Sequence, residues 1–324
     1  LTGLCPTTAA GAELAAKENT MFGYSDFIDF VKKGLGIPSQ QYAEWMDSLR
    51  KDLSTMTVGE VRELLHRAHK LAEIYGIKDN HGFRLLTMGN KKLSKELPVT
   101  AHHSVLLGLE FTPASWEYTG ADNKVYGFEA TSNNVCPKAG VCAVMGNCLA
   151  FSRPSKTAHI KRSNRKRLLI EHPQHFLSLL FYEIRNAKAI FRSPAFRLNV
   201  LSDIIWEHIL PDFVLKELSG DFYDYTKVEW RVRFVPAWLN YHLTYSWSER
   251  SDDADLPILM QDFGNIAMVF PRERELPFEY RGYPVIDGDV HDYRMGDLKG
   301  YIIGLRAKAR LRWGVEKNNP MIMK

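Results

Sequence analysis

The sequence predicts an α/β protein, a partial (β/α) barrel preceded by an α-helical N-terminal extension. Helical periodicity dominates the first hundred residues. After Pro98, short β-branched and aromatic runs alternate with longer amphipathic segments. Several later gaps between runs are too short for full helices, which argues for an irregular barrel and against a regular eightfold one. The expected division is a helical module over 1–97 and a partial barrel carrying a cysteine-rich loop over 98–324.

Ser25 precedes "DFIDFVKKGLG", in which Phe27, Ile28, Phe30 and Val31 are apolar and Gly34 and Gly36 lie near the end. Pro38 and Ser39 open "QQYAEWMDSLRKDL", where Tyr42, Met46, Leu49 and Leu53 recur every three or four residues. Thr57-Val-Gly-Glu60 has the form of a capping box, in which hydroxyl and carboxylate satisfy each other's backbone amides. Val61, Leu64, Leu65, Ala68, Leu71 and Ala72 then share one helical face, and Gly76 ends the helix. The polar stretch "MGNKKLSKELP" leads onward. The candidate strands beyond it are "SVLLGLEF", "KVYGFEA", "FRLNVLSD", "DFYDYT", "LNYHLTYS", "NIAMVF" and "GYIIGLR". Two amphipathic helices are expected between the second and third, over 156–170 and 173–190.

A chain of 324 residues with 45% apolar and 25% charged residues has the composition of a soluble globular protein. No window holds 18 uncharged apolar residues, so no membrane span is expected, and nothing resembles a secretory signal. The net charge of +4 is too small to demand a nucleic-acid partner, but the charge is concentrated. From Arg153 to Arg167 the chain carries Lys156, Lys161, Arg162, Arg165, Lys166, Arg167 and His159 with no acid. Such a run is either a solvated helix face or a stripe that contacts the phosphates of DNA or RNA.

Three of the four cysteines, Cys136, Cys142 and Cys148, lie in "NVCPKAGVCAVMGNC". In a chain without a signal, this clustering points to a reducing compartment and to metal chemistry. Thiolates are soft ligands for zinc and iron, and structural zinc wants four. Cys5, His102, His103 or His159 could complete a zinc site. Three thiolates with one open position would instead suit a [4Fe–4S] iron–sulfur cluster. Pro137, Gly140, Gly146 and Asn147 describe a loop wrapped around something, although small buried cysteines remain the bland alternative.

In a parallel sheet, active groups collect where strands end. Ser202 and Asp203 close one run, and Asp224 and Lys227 close the next. Thr244, Ser246 and Glu249 close a third. Asp287, Asp289 and Asp292 sit in "VIDGDVHD", with Arg306 and Lys308 after the last strand. The carboxylates Asp203, Asp224, Asp287 and Asp289 could also hold Mg²⁺ or Mn²⁺ for hydrolysis.

The ordered set "CPKAGVCAVMGNCLAFSRP", "KRSNRKRLLIEHPQHFLSLLFYEI", "RLNVLSDIIWE", "FYDYTK", "NYHLTYSWSE" and "VIDGDVHDYRMGDLKGYIIGLRAKAR" resembles the phage gene-product-88-like proteins over about Tyr126 to Arg312. That family looks like a divergent relative of radical S-adenosylmethionine barrels. The resemblance implies a four-iron cluster on Cys136, Cys142 and Cys148, with S-adenosylmethionine bound among Ser202, Asp203, Thr244, Ser246 and Asp289. It further implies that Asp203, Asp224 and Glu249 position hydroxyls or an amine, and that Lys227 or Lys308 meets a carboxylate or the substrate. The basic segment would present a nucleic acid or nucleotide, and a phage-encoded protein would work in the host cytoplasm. The alternative is a non-enzymatic, metal-stabilised protein that binds nucleic acid or a host partner.

Overall fold

Thr57 caps the first helix of the computed structural model as the sequence predicts. Its hydroxyl accepts the Glu60 N–H at 3.3 Å, and the Glu60 carboxylate accepts the Thr57 N–H at 2.7 Å. This helix, α1 (Val58–Ile74), ends at Gly76, whose φ of 68° favours a residue without a Cβ. The structure describes residues 57–88, 104–114, 116–118, 120, 128–130, 134–143, 148, 156–209, 221–235, 240–307 and 321–323. The two helices expected before Thr57 lie outside them.

The strands are β1 (Leu86–Met88), β2 (Val105–Leu109), β3 (Trp116–Tyr118), β4 (Phe128–Ala130), β5 (Pro194–Arg197), β6 (Asp221–Thr226), β7 (Tyr241–Ser246), β8 (Asn265–Phe270), β9 (Glu279–Tyr280), β10 (Tyr283–Asp287) and β11 (Tyr301–Arg306). The helices after α1 are α2 (Lys156–Glu171), α3 (Pro173–Ile190), α4 (Trp206–Ile209) and α5 (Leu256–Phe263). Nine strands form one sheet in the order β1-β2-β5-β6-β7-β8-β11-β10-β9. From β2 to β10 every neighbouring pair is parallel, and the two edge strands β1 and β9 run antiparallel. The stepwise order β5-β6-β7-β8 is that of strands wound in one direction. Among the described residues no pairing joins β1 to β9, so the sheet is open and the fold is mixed α/β.

Two expected strands are corrected. "KVYGFEA" contributes Phe128–Ala130 to a separate two-stranded pair with β3, outside the large sheet. "FRLNVLSD" stops being a strand at Arg197, because Asn199 turns the chain. Its side-chain oxygen takes the Ile204 N–H and its backbone N–H goes to Asp224, both at 2.8 Å. The sequence does not predict strands β1, β3, β9 and β10 or helices α4 and α5. They are short, and the strands exist through their pairing partners.

The two faces of the sheet differ. Leu107, Phe196, Phe222, Leu243, Ile266 and Ile302 share one core cluster with Ala68 and Ala72 of α1, Leu168 of α2, Phe176 and Ile184 of α3 and Phe263 of α5. Each such large apolar side chain stabilises the fold by about 1.5–3 kcal/mol. The alternate residues point the other way, as a period of two dictates. On that side Leu106, Ala195 and Tyr223 form a small cluster against Met295. Glu183 of α3 ties the sheet edge down by accepting the N–H groups of Arg84, Leu85 and Leu86 at 2.7–3.0 Å. Residues on both sides of the boundary expected at 97 therefore share one sheet and one core. No helix of the described residues is long and apolar enough to cross a membrane.

Candidate functional site

The cysteine loop lies across the carboxyl ends of three neighbouring strands. Beyond β5, the Asp203 N–H donates to the Val135 carbonyl at 2.9 Å. Beyond β6, Glu229 pairs with Lys138 at 3.3 Å. Beyond β7, Glu249 accepts the Val141 N–H at 2.8 Å and Arg250 donates to the Ala139 carbonyl at 3.3 Å. Gly140 leaves room for this docking, because a Cβ there would overlap the Glu249 carboxylate and push it aside. Within the loop, Asn134 accepts the Cys136 N–H at 2.9 Å, and the Ala139 N–H donates to the Cys136 carbonyl.

Cys136 is half-buried, and its sulfur accepts the Ala114 N–H at 3.3 Å. Ala114 has a φ of 46°, the left-handed region that a residue with a Cβ seldom occupies. Its carbonyl accepts the Lys166 ammonium at 2.8 Å. Burial pushes the Cys136 thiol up, and Cys148, Asp203 and Cys142 push it further through their charge. A buried thiol in such surroundings keeps its proton unless a cation replaces it. The donor set suits a thiophilic metal, but among the described residues no group of three His, Cys, Asp or Glu is arranged to hold a metal ion. His159 stacks on Tyr118 with centroids 5.1 Å apart, while Cys5, His102 and His103 lie outside the described residues.

The residues expected at the rim have distinct environments. Asp203 accepts the Thr226 hydroxyl at 2.7 Å and the Lys227 N–H at 2.8 Å, and Arg231 stands 3.4 Å away. Burial raises its pKa, opposed by Arg231. Asp224 is fully buried and accepts from the Asn199 backbone, the Asn199 amide and the Tyr241 hydroxyl. Burial pushes Asp224 up to about 6. The Ser202 hydroxyl is spent on Asn199 at 2.8 Å, and Thr244 is buried 3.5 Å from the His242 ring. Ser246 ends β7 beside Ala267. Asp287 and Asp289 bind Arg306, whose side chain reaches Asp287 and whose N–H reaches Asp289, both at 2.7 Å. Lys308 lies outside the described residues. Glu249 stands apart in that its Oε2 is shut from solvent with no hydrogen-bond partner among the described residues.

The basic segment does not present its charges on one face. Arg165 and Lys166 are buried and donate to backbone carbonyls, Arg165 to Arg84 at 2.9 Å and Lys166 to Ala114 and Trp116. Burial lowers the Lys166 pKa to about 8. Arg162 pairs with Glu110 at 2.8 Å, and Arg167 pairs with Glu171 while lying over the Tyr75 ring. Lys156 is exposed and Lys161 half-buried, and Arg153 lies outside the described residues.

Sequence reasoning passed over Arg197, Tyr223, Tyr225 and His242, on the sheet face away from the helices. The signal was present as polar or aromatic side chains recurring every second residue inside the strands, at 223 and 225 and at 242, 244 and 246.

Residues 84–317, more than half of the chain, match the family model described as gene product 88. The match begins before, and ends beyond, the stretch over which the sequence resembles that family. No curated protein and no solved structure matches the chain.

Proposed function

The chain belongs to the gene product 88 family, and from that premise we propose a phage-encoded protein that holds a [4Fe–4S] cluster on Cys136, Cys142 and Cys148. The observation that carries this reading is that all three cysteines belong to one loop, which is fastened to the ends of β5, β6 and β7. When bound, such a cluster supplies one-electron chemistry and an open coordination position suited to S-adenosylmethionine.

The chain's own residues have definable tasks. The Ala114 N–H donates to the Cys136 sulfur, which stabilises a thiolate and tunes any iron it ligates. Asp203, fixed by Thr226 and Lys227, holds the loop through its backbone N–H, which donates to the Val135 carbonyl. Glu249 grips the loop with one oxygen, and its second oxygen is ready to accept from the amine or hydroxyl of a ligand. The nucleic-acid reading has less support, since Arg165 and Lys166 are taken up inside the protein.

The test is anaerobic purification and reconstitution, with iron and sulfide analysis and absorption spectroscopy. Roughly four irons per chain are expected, lost together with the visible absorption in Cys142→Ser. Folded protein that takes up neither iron nor zinc, or loads iron equally well as Cys142→Ser, would sink the proposal. Stoichiometric zinc in place of iron would replace the cluster with a structural metal.

A further inference from the structure

Arg197 ends β5 on the sheet face away from the helices. It stands beside Tyr223, since the two residues follow the paired Phe196 and Phe222. Its guanidinium lies over two rings, 4.9 Å from the Tyr225 centroid and 5.9 Å from that of Tyr223. Among the described residues it makes no hydrogen bond and no ion pair, and its Nε is shut from solvent without a partner. Tyr223 is 0% exposed, and its hydroxyl also lacks a partner among the described residues.

Leaving a buried donor without a partner is unfavourable, and more so when the donor is charged. A water could satisfy the tyrosine. Arg197 is partly exposed, so an anion can reach its guanidinium from solvent, and its planar fork matches the oxygens of a carboxylate or a phosphate. The rings contribute cation–π attraction and fix the plane of the guanidinium, so its free edge is presented in a set direction.

Two further cations act on neighbours of Arg197 on this face, Arg294 on Tyr225 and both Arg294 and Lys299 on His242. Lys299 stands 3.4 Å from the His242 ring, and Arg294 is buried nearby. His242 is kept neutral, its pKa lowered to about 4 by burial and then by these two cations. Asp297 pairs with Arg294 at 2.9 Å. Asp292 and Asp224 act on Arg197 through charge at longer range, and Asp224 is already occupied by Asn199 and Tyr241. Asp292 is thus the group that an incoming anion would have to oppose.

We propose that Arg197, its guanidinium held over Tyr223 and Tyr225, binds the oxyanion of a small molecule, a carboxylate or a phosphate, on the sheet face away from the helices. The site stands on its own observations and does not rest on the thiol centre.

Calorimetric titration with inorganic phosphate and separately with acetate, at ionic strength held constant with chloride, tests it. At least one anion binds with a stoichiometry of one, and the one that binds identifies the headgroup. Arg197→Met weakens that binding by about tenfold or more, the scale of one charge-assisted interaction. Arg197→Lys keeps the charge but loses the fork and falls between. Asp292→Asn strengthens binding, and Cys142→Ser leaves it unchanged. Anion-free Arg197→Met melts no lower than the parent protein, because Arg197 has no hydrogen bond or ion pair among the described residues to lose. The proposal is overturned if neither anion binds, if Arg197→Met binds as tightly as the parent, or if that variant lowers the anion-free melting temperature with no change in the response to anion.

Discussion

Arg231 and Arg197 are both held at the carboxyl side of the sheet, and both lie over tyrosine rings. Arg231 donates to Glu207 at 2.6 and 2.8 Å and to the Tyr241 hydroxyl at 2.9 Å, with Asp203 at 3.4 Å. Arg197 has its rings and, among the described residues, nothing that accepts. The first arginine belongs to the scaffold, where its charge is cancelled by residues that fix the turns after β5 and β6. The second is a charge the scaffold leaves open. A buried cation whose partners all come from the protein stabilises one conformation. A cation without them is a site waiting for a ligand.

The sharpest way to break this comparison is to truncate Arg231. Arg231→Met leaves Glu207 and Asp203 as uncompensated buried charges and should cost about 3–5 kcal/mol in urea unfolding. Arg197→Met in the same assay should change stability little. Comparable losses in the two variants would erase the distinction between a scaffold arginine and an open one.

The same network should be visible in its response to pH. Asp224 is raised from an ordinary 3.8 to about 6, so the folded state keeps a proton that the unfolded chain releases. Its contribution to stability is therefore full below the lower value and lost as pH rises through the upper one. The stability of the parent protein relative to Asp224→Asn should fall between these two values and be level above them. A difference independent of pH would mean that Asp224 is already ionised throughout.

A smaller effect concerns the loop. Gly140→Ala drives a Cβ into the Glu249 carboxylate and should cost about 1–3 kcal/mol. It should also lower iron uptake on reconstitution, whereas a substitution on the far side of α1 should not. Smallest of these is Thr57→Ala, which removes the capping box of α1 and should cost about 1 kcal/mol with no effect on either site.

Much of the fold was legible in the sequence. Helices α1, α2 and α3 and strands β2, β6, β7, β8 and β11 fall where periodicity and capping residues place them. Each carries its own signal within a single element. Strands β1, β9 and β10 are two to five residues long and take their identity from a neighbouring strand. The basic segment is instructive in the opposite sense. Its charges are plain in the sequence, yet the burial of Arg165 and Lys166 depends on carbonyls at Arg84, Ala114 and Trp116, far away along the chain.

The sequence by itself determined that this is an α/β chain with parallel strands, three close thiols and polar residues gathered at strand ends. Those are properties of local pattern and spacing. Only the tertiary structure decided which of the polar residues are consumed. Asp203 and Asp224 are occupied by Thr226, Asn199, Tyr241 and Arg231, while Arg197, Tyr223 and one oxygen of Glu249 have no hydrogen-bond partner among the described residues. The physical reason is that a donor or acceptor is satisfied by whatever the fold brings within about 3 Å of it, and in this sheet that neighbour usually comes from another strand.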